Sequence, residues 1–181
     1  AVVEERTEGW VAGLHLAALT LAGADDVAAA AAQLAGVDAG IADYLVDEVL
    51  SQQTPAIQEF LLLTAILDRF CAGVCEAVVS GHGFEGDVRG SLEWLVGANL
   101  FVISLDNQRG WYRYHHLFAD VLRAHLTAEQ PDQLPILHQR ASAWFARNDS
   151  APEAIHHALA AQDFEQAATL IDRAVPATRR N

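Results

Sequence analysis

The sequence predicts a mainly α fold interrupted by one β-hairpin. Three observations carry that prediction. Apolar residues recur at three- and four-residue spacing through most of the chain, as one buried helix face requires. The period drops to two around residues 100–115, on either side of the turn-forming DNQRG. Helix-starting signals, Thr54-Pro55, Ser150 with Glu153 and Asp163 with Gln166, stand at the head of apolar stripes.

Taken in order, GWVAGLHLAALTLA (9–22) reads as a helix with little polar surface, buried on most sides. Residues 26–35 are alanine-rich and favour helix by propensity alone. After Gly36 and Gly40, IADYLVDEVLSQ places Ile41, Tyr44, Leu45, Val49 and Leu50 on one helical face. Thr54 and Pro55 open a leucine-rich helix, residues 72–80 form a short one, and VRGSLEWLVG (88–97) a third. LFVISL (100–105) and WYRYH (111–115) then pair across DNQRG, where Asp and Asn start the turn and Gly frees the backbone. Three helices followed by a hairpin is the element order of a winged-helix domain, at about 54–114, with a further helix over 115–127. Beyond Pro131 come three helices of roughly 10 to 14 residues with very short connections, which reads as helical hairpins stacked like a solenoid, in TPR-like fashion. Domain limits follow at 1–53, 54–127 and 128–181, with the repeat expected to continue past residue 181.

Composition excludes several function classes. The net charge is −13, no segment is basic, and a grip on nucleic acid through phosphates is not expected. All 11 basic residues are arginine. A phosphate-binding P-loop and Schiff-base chemistry each need a lysine, so neither belongs to this chain and it is not expected to be an enzyme by itself. No apolar run is long enough for a membrane helix, and the first residues lack the pattern of a signal peptide. Cys71 and Cys75, four apart, read as reduced thiols of a cytoplasmic protein, without the further ligands a zinc site needs. Methionine is absent even at position 1, and the sequence reads as a piece of a longer protein.

The chemistry-bearing stretch is GWYRYHHLFADVLRAHL (110–126), where a strand becomes a helix at His115-His116. With the helix starting near His115, Leu117, Phe118, Val121 and Leu122 fall within an arc of about 140°. His115 lies at the edge of that arc and leans inward. His116 points to solvent beside Asp120 and Arg123, so the two diverge and form no joint metal site. A helix N-terminus offers unpaired N–H groups and partial positive charge, which suit an anion, and a neutral imidazole can add one N–H. The competing reading is a core-edge histidine capping its own turn.

TEGWVAGLHLAAL, YLVDEVLSQQTPAIQEFLLLTAILDRF, LEWLVGANLFVISLDNQRGWYRYHHLFADVLRAHL and LHQRASAWFARNDSAPEAIHHALAAQDFEQAATLI, taken together, resemble the middle of the large MalT-like, ATP-dependent LuxR-family transcriptional regulators. These belong to the STAND class of nucleotide-driven switches. The resemblance implies the end of a nucleotide-binding region (a helical lid, 1–53), a winged-helix domain, and the start of a helical-repeat sensor. ATP and ADP would be bound by the longer protein. In related switches a Met-His-Asp motif closes the winged helix, and its histidine touches the β-phosphate of ADP. The resemblance places His115 there and puts His116 where the aspartate stands, so nothing carried by the aspartate transfers. Gly13-Leu14-His15-Leu16 resembles a Gly-Leu-Pro-Leu segment of the lid, which places His15 near the adenine.

The remaining candidates have structural readings. His156 and His157 diverge on one helix as surface or groove residues. Trp10, Trp94, Trp111 and Trp144 are packing residues. Ser80 and Ser104 lack a nucleophile-elbow context. The third helix offers only Arg89 for a DNA backbone. The expected function is regulatory coupling between nucleotide state and a helical-repeat sensor. Its partners would be the protein's own nucleotide-binding domain and an inducer or regulatory protein, with no direct contact to DNA or membrane. The alternative is a helical protein–protein interaction scaffold that needs no nucleotide.

Overall fold

The computed structural model of the chain describes residues 50–82, 84–98, 101–106 and 110–174. Residues 1–49, with the expected lid, Trp10 and His15, and residues 107–109 of the expected turn lie outside the described residues. Among those described, three α-helices precede and four follow one two-stranded antiparallel sheet.

Helix α1 (Pro55–Thr64) starts as its sequence requires. Thr54 is the N-cap, its hydroxyl accepts from the Ile57 amide, and Pro55 takes the first turn, where no amide partner is needed. Its leucine run meets α2 (Ala72–Val79), which buries Val74, Cys75, Val78 and Val79. Helix α3 (Val88–Gly97) is capped by the Asp87 carboxylate, which accepts from the Arg89 amide at 3.1 Å. It buries Leu92 and Leu95 and leaves Trp94 44% exposed. Trp94 is therefore not a core residue of this chain, because it stands away from the Leu92/Leu95 stripe of α3.

Strands β1 (Val102–Ser104) and β2 (Tyr112–Tyr114) pair with Val102 opposite Tyr114 and Ser104 opposite Tyr112. Pairing continues one residue further at both ends, through Leu105 N–H to the Trp111 carbonyl and His115 N–H to the Phe101 carbonyl. That agrees with the predicted strands over 101–105 and 111–115, and Leu100 lies outside the described residues. Asp106 fastens the turn by accepting from Gly110 and Trp111 amides. Phe70 bridges the other side of β2 through two 2.8 Å hydrogen bonds with Tyr112. The winged-helix order of three helices and a hairpin is thus present, followed by α4 (His116–Glu129).

A short 3-10 turn (Pro131–Gln133) leads to α5 (Leu134–Arg147), α6 (Ala151–Ala160) and α7 (Phe164–Ala174). The two connections between them have the same construction. Asp149 and Gln162 each take a left-handed φ, 56° and 59°. The amides of Ser150 and Asp163 then reach back to the Phe145 and Ala158 carbonyls at 3.0 and 2.9 Å. This six-to-one bond marks a Schellman turn. Asp163 also caps α7, accepting from the Gln166 amide. The expected capping box at Ser150 and Glu153 does not form. The Ser150 side chain makes no cap bond, and Glu153 is drawn away into an ion pair with Arg69.

One buried core runs from α1 through α7, and its largest fully buried members are Phe60, Phe70, Phe118 and Phe145. Each such side chain contributes about 1.5–3 kcal/mol by leaving water. Among the described residues, no helix is long and apolar enough to cross a membrane.

Candidate functional site

The seam between β2 and α4 is built from the core outward. Tyr114, the last residue of β2, turns its ring between Phe70 (centroids 4.5 Å apart) and Phe118 (6.0 Å). Burial holds its phenol protonated far above the ordinary tyrosine range. His115 follows with extended backbone (φ −59°, ψ 134°) and is the N-cap of α4. Its amide donates to the Phe101 carbonyl at 2.7 Å and its carbonyl accepts from the Ala119 amide at 2.9 Å. Strand pairing on one side and the first helical turn on the other thus fix its backbone.

The His115 side chain is buried at 2% exposure, whereas His116 is exposed. The inward and outward assignment made from helical geometry agrees with this. The rings do not diverge, however: they stack, with centroids 4.6 Å apart and planes 26° from parallel. His115 lies just before the helix rather than within it, so the 100° step between helical neighbours does not separate the pair. Nor does the His115 side chain cap its own turn by a hydrogen bond. The first turn of α4 carries no acidic residue to offset its positive end.

Across the ladder from His115, Phe101 takes a left-handed φ of 57° and stacks on Phe118 at 4.2 Å. That conformation is uncommon for a bulky side chain and costs about 1–3 kcal/mol. Backbone strain at the seam was not visible in the sequence, because no glycine marks it.

A second cluster joins the winged helix to the helices that follow. Arg69 pairs with Glu153 of α6 and lies over the Trp111 ring at 4.7 Å. Trp111 meets Trp144 edge-on and Phe145 face-on. Arg140 of α5 donates to the Val78 carbonyl at the end of α2. Gly73 of α2 admits the Trp144 ring, since a Cβ there would lie 3.1 Å from it. Trp111 and Trp144 are packing residues at this junction, as expected.

Of the two readings for His157, surface or groove, the structure excludes the first. It is 3% exposed and lies parallel to Phe145 with centroids 5.6 Å apart. Its Nδ1 is 2.8 Å from Nδ1 of His138, so one ring donates and the other accepts. Burial first, then neighbouring His138, His156 and Arg123, lowers His157 to about 3. Burial, with His156 and Arg123, lowers His138 to about 4 against a small opposing pull from Asp68. His156 is exposed and lines, with Asp68, Arg69, Pro152, Glu153 and His157, a cleft of about 190 Å³. The signal that marks His157 is its place in a stripe with Ala154, Ala158 and Ala161, all buried. Cys71 and Cys75 are free, and burial raises the Cys75 thiol.

Comparison with known proteins agrees with this architecture. Residues 46–134 match the MalT winged helix domain. The chain is 38% identical over 162 residues to the HTH-type transcriptional regulator MalT of Yersinia pestis (strain Pestoides F), covering 88% of the chain and 17% of that protein. It is 36% identical over 167 residues to the serine/threonine-protein kinase PknK of Mycobacterium tuberculosis (strain ATCC 25618 / H37Rv), covering 92% of the chain and 15% of that protein. The chain thus spans about one sixth of the length of these relatives.

Proposed function

We propose that this MalT-like chain, whose residues 46–134 are a winged helix domain of the MalT family, is the coupling segment of a larger nucleotide-controlled regulator. His115 would meet the β-phosphate of ADP held by the nucleotide-binding part of the longer protein and keep it closed. His15 would lie near the adenine. The helices after residue 128 would receive an inducer or a regulatory protein. ADP and ATP then act by binding the closed and open forms unequally, which moves the population between them. The chain performs no catalysis of its own in this scheme, and it works in the cytoplasm without touching DNA directly.

The observation that carries the reading is the placement of one buried imidazole at a strand-to-helix seam whose domain is also locked to the next helices. His115 is fixed through its backbone, and the same hairpin places Trp111 against Trp144 and Phe145. The similarity to both a transcriptional regulator and a protein kinase favours a role that does not depend on the attached output.

The test is His115→Ala in the full-length protein. ADP retention should weaken about tenfold, as for loss of one hydrogen bond to a charged group, and output without inducer should rise. Equal ADP affinity together with equal basal output would leave the helical-scaffold reading in its place.

A further inference from the structure

We propose that the Tyr114 hydroxyl, held on Thr64 of α1, positions His115, so that the placement of α1 is registered at the phosphate contact. The inference rests on the reading of His115 given above. Thr64 Oγ1 lies 2.6 Å from the Phe60 carbonyl oxygen and 2.7 Å from the Tyr114 hydroxyl. A carbonyl only accepts, so the Thr64 proton goes to Phe60 and the Tyr114 proton goes to Thr64. Donation runs one way, from Tyr114 through Thr64 to the α1 backbone.

Both side chains are buried, Thr64 at 0% and Tyr114 at 3% exposure. Around them stand Phe70 and Phe118. A polar pair in such a place adds little stability over an apolar pair of the same shape. What it adds is register. A slip of β2 by one residue would bring Arg113 to Thr64 and turn His115 to the opposite face. The far end of α1 is tied as well. Gln58 Nε2 donates to the Leu50 and Gln53 carbonyls, each at 3.0 Å. Residues 50–53, α1, Thr64, Tyr114 and His115 therefore form one contiguous series of hydrogen bonds and peptide bonds. The clamped Tyr114 ring passes a shift of α1 to its neighbour instead of absorbing it by rotating.

ADP binding to the full-length protein, followed by calorimetry, tests this. Tyr114→Phe keeps the ring and leaves Thr64 bonded to Phe60, so the fold survives. It should weaken ADP binding about three- to tenfold. Thr64→Val should do the same, and Thr64→Ser, which restores the hydroxyl, should not. In a His115→Ala background Tyr114→Phe should change ADP affinity by less than about twofold, because its effect passes through the imidazole. An equal effect of Tyr114→Phe in both backgrounds, or no effect in the native background, overturns the positioning role and leaves His115 standing. If His115→Ala itself leaves ADP affinity unchanged, the reading of His115 and this inference fall together.

Discussion

The His138 and His157 rings meet Nδ1 to Nδ1 at 2.8 Å, and burial holds both below the ordinary histidine value, to about 4 and about 3. In the unfolded chain each takes its proton near pH 6.5. Between about pH 6.5 and pH 4 the unfolded state therefore binds more protons than the folded one. Stability is full above that window and falls as the pH drops through it, by up to about 1.4 kcal/mol per pH unit for each imidazole. Urea unfolding of the chain at stepped pH should show this decline. His157→Leu should roughly halve it, since one of the two buried imidazoles is then gone, and an unchanged slope in that variant would exclude the pair as its source. The two histidine pairs also differ in how readable they were. His115 follows a stripe of large apolar residues, so its inward lean could be taken from spacing. His157 follows a stripe of alanines, while the larger Leu159 on the same helix is 47% exposed. Hydrophobicity read residue by residue points such a helix the wrong way, because close helix approach selects small side chains rather than greasy ones.

Elements were legible where their ends are chemically marked. Thr54 with Pro55 and Asp163 with Gln166 start helices as written. Ser150 with Glu153 does not, because Arg69 competes for the carboxylate from 84 residues away, and no local pattern records that. Helix exits were harder to read: Asp149 and Gln162 hold left-handed turns at φ 56° and 59° without being glycine. A left-handed L-residue costs about 1–2 kcal/mol, of which glycine returns part through its larger unfolded entropy. Asp149→Gly and Gln162→Gly should each stabilise the chain by about 0.5–1 kcal/mol. Gly81, which already has φ 77° and where an added Cβ would lie 3.0 Å from the Arg140 guanidinium, should do the opposite. Gly81→Ala should destabilise by about 1–2 kcal/mol through the same backbone term. Denaturant midpoints of the three variants check the pattern, and a common sign for all three would contradict it.

At the scale of the whole molecule, the winged helix and the helices after it share one core, and this was the least legible feature. Periodicity shows which face of α5 is apolar but not which helix it meets. The contact depends on Gly73 leaving room for Trp144, and on Trp111 reaching both Trp144 and Phe145. If coupling passes through this junction, α1–α4 and α5–α7 must open together. Hydrogen exchange on the native chain should then give amides of α2 and α6 the same opening free energy, since a cooperative unit opens as one. Trp144→Ala removes the half-buried ring that packs on Gly73, Trp111 and Phe145, and Arg69→Ala removes the ion pair to Glu153. Together they should split the unit, with α6 and α7 exchanging before α2 while the Phe70–Tyr112 bridge in the winged helix stays protected. Under the proposed function, the same double variant of the full-length protein should bind ADP as the native protein does and lose its response to inducer, because the proposed nucleotide contact and the proposed sensor are then severed at the junction alone. Exchange of α6 ahead of α2 in the native chain would mean that the two parts are independently stable, and a rigid connection could not be what carries the signal.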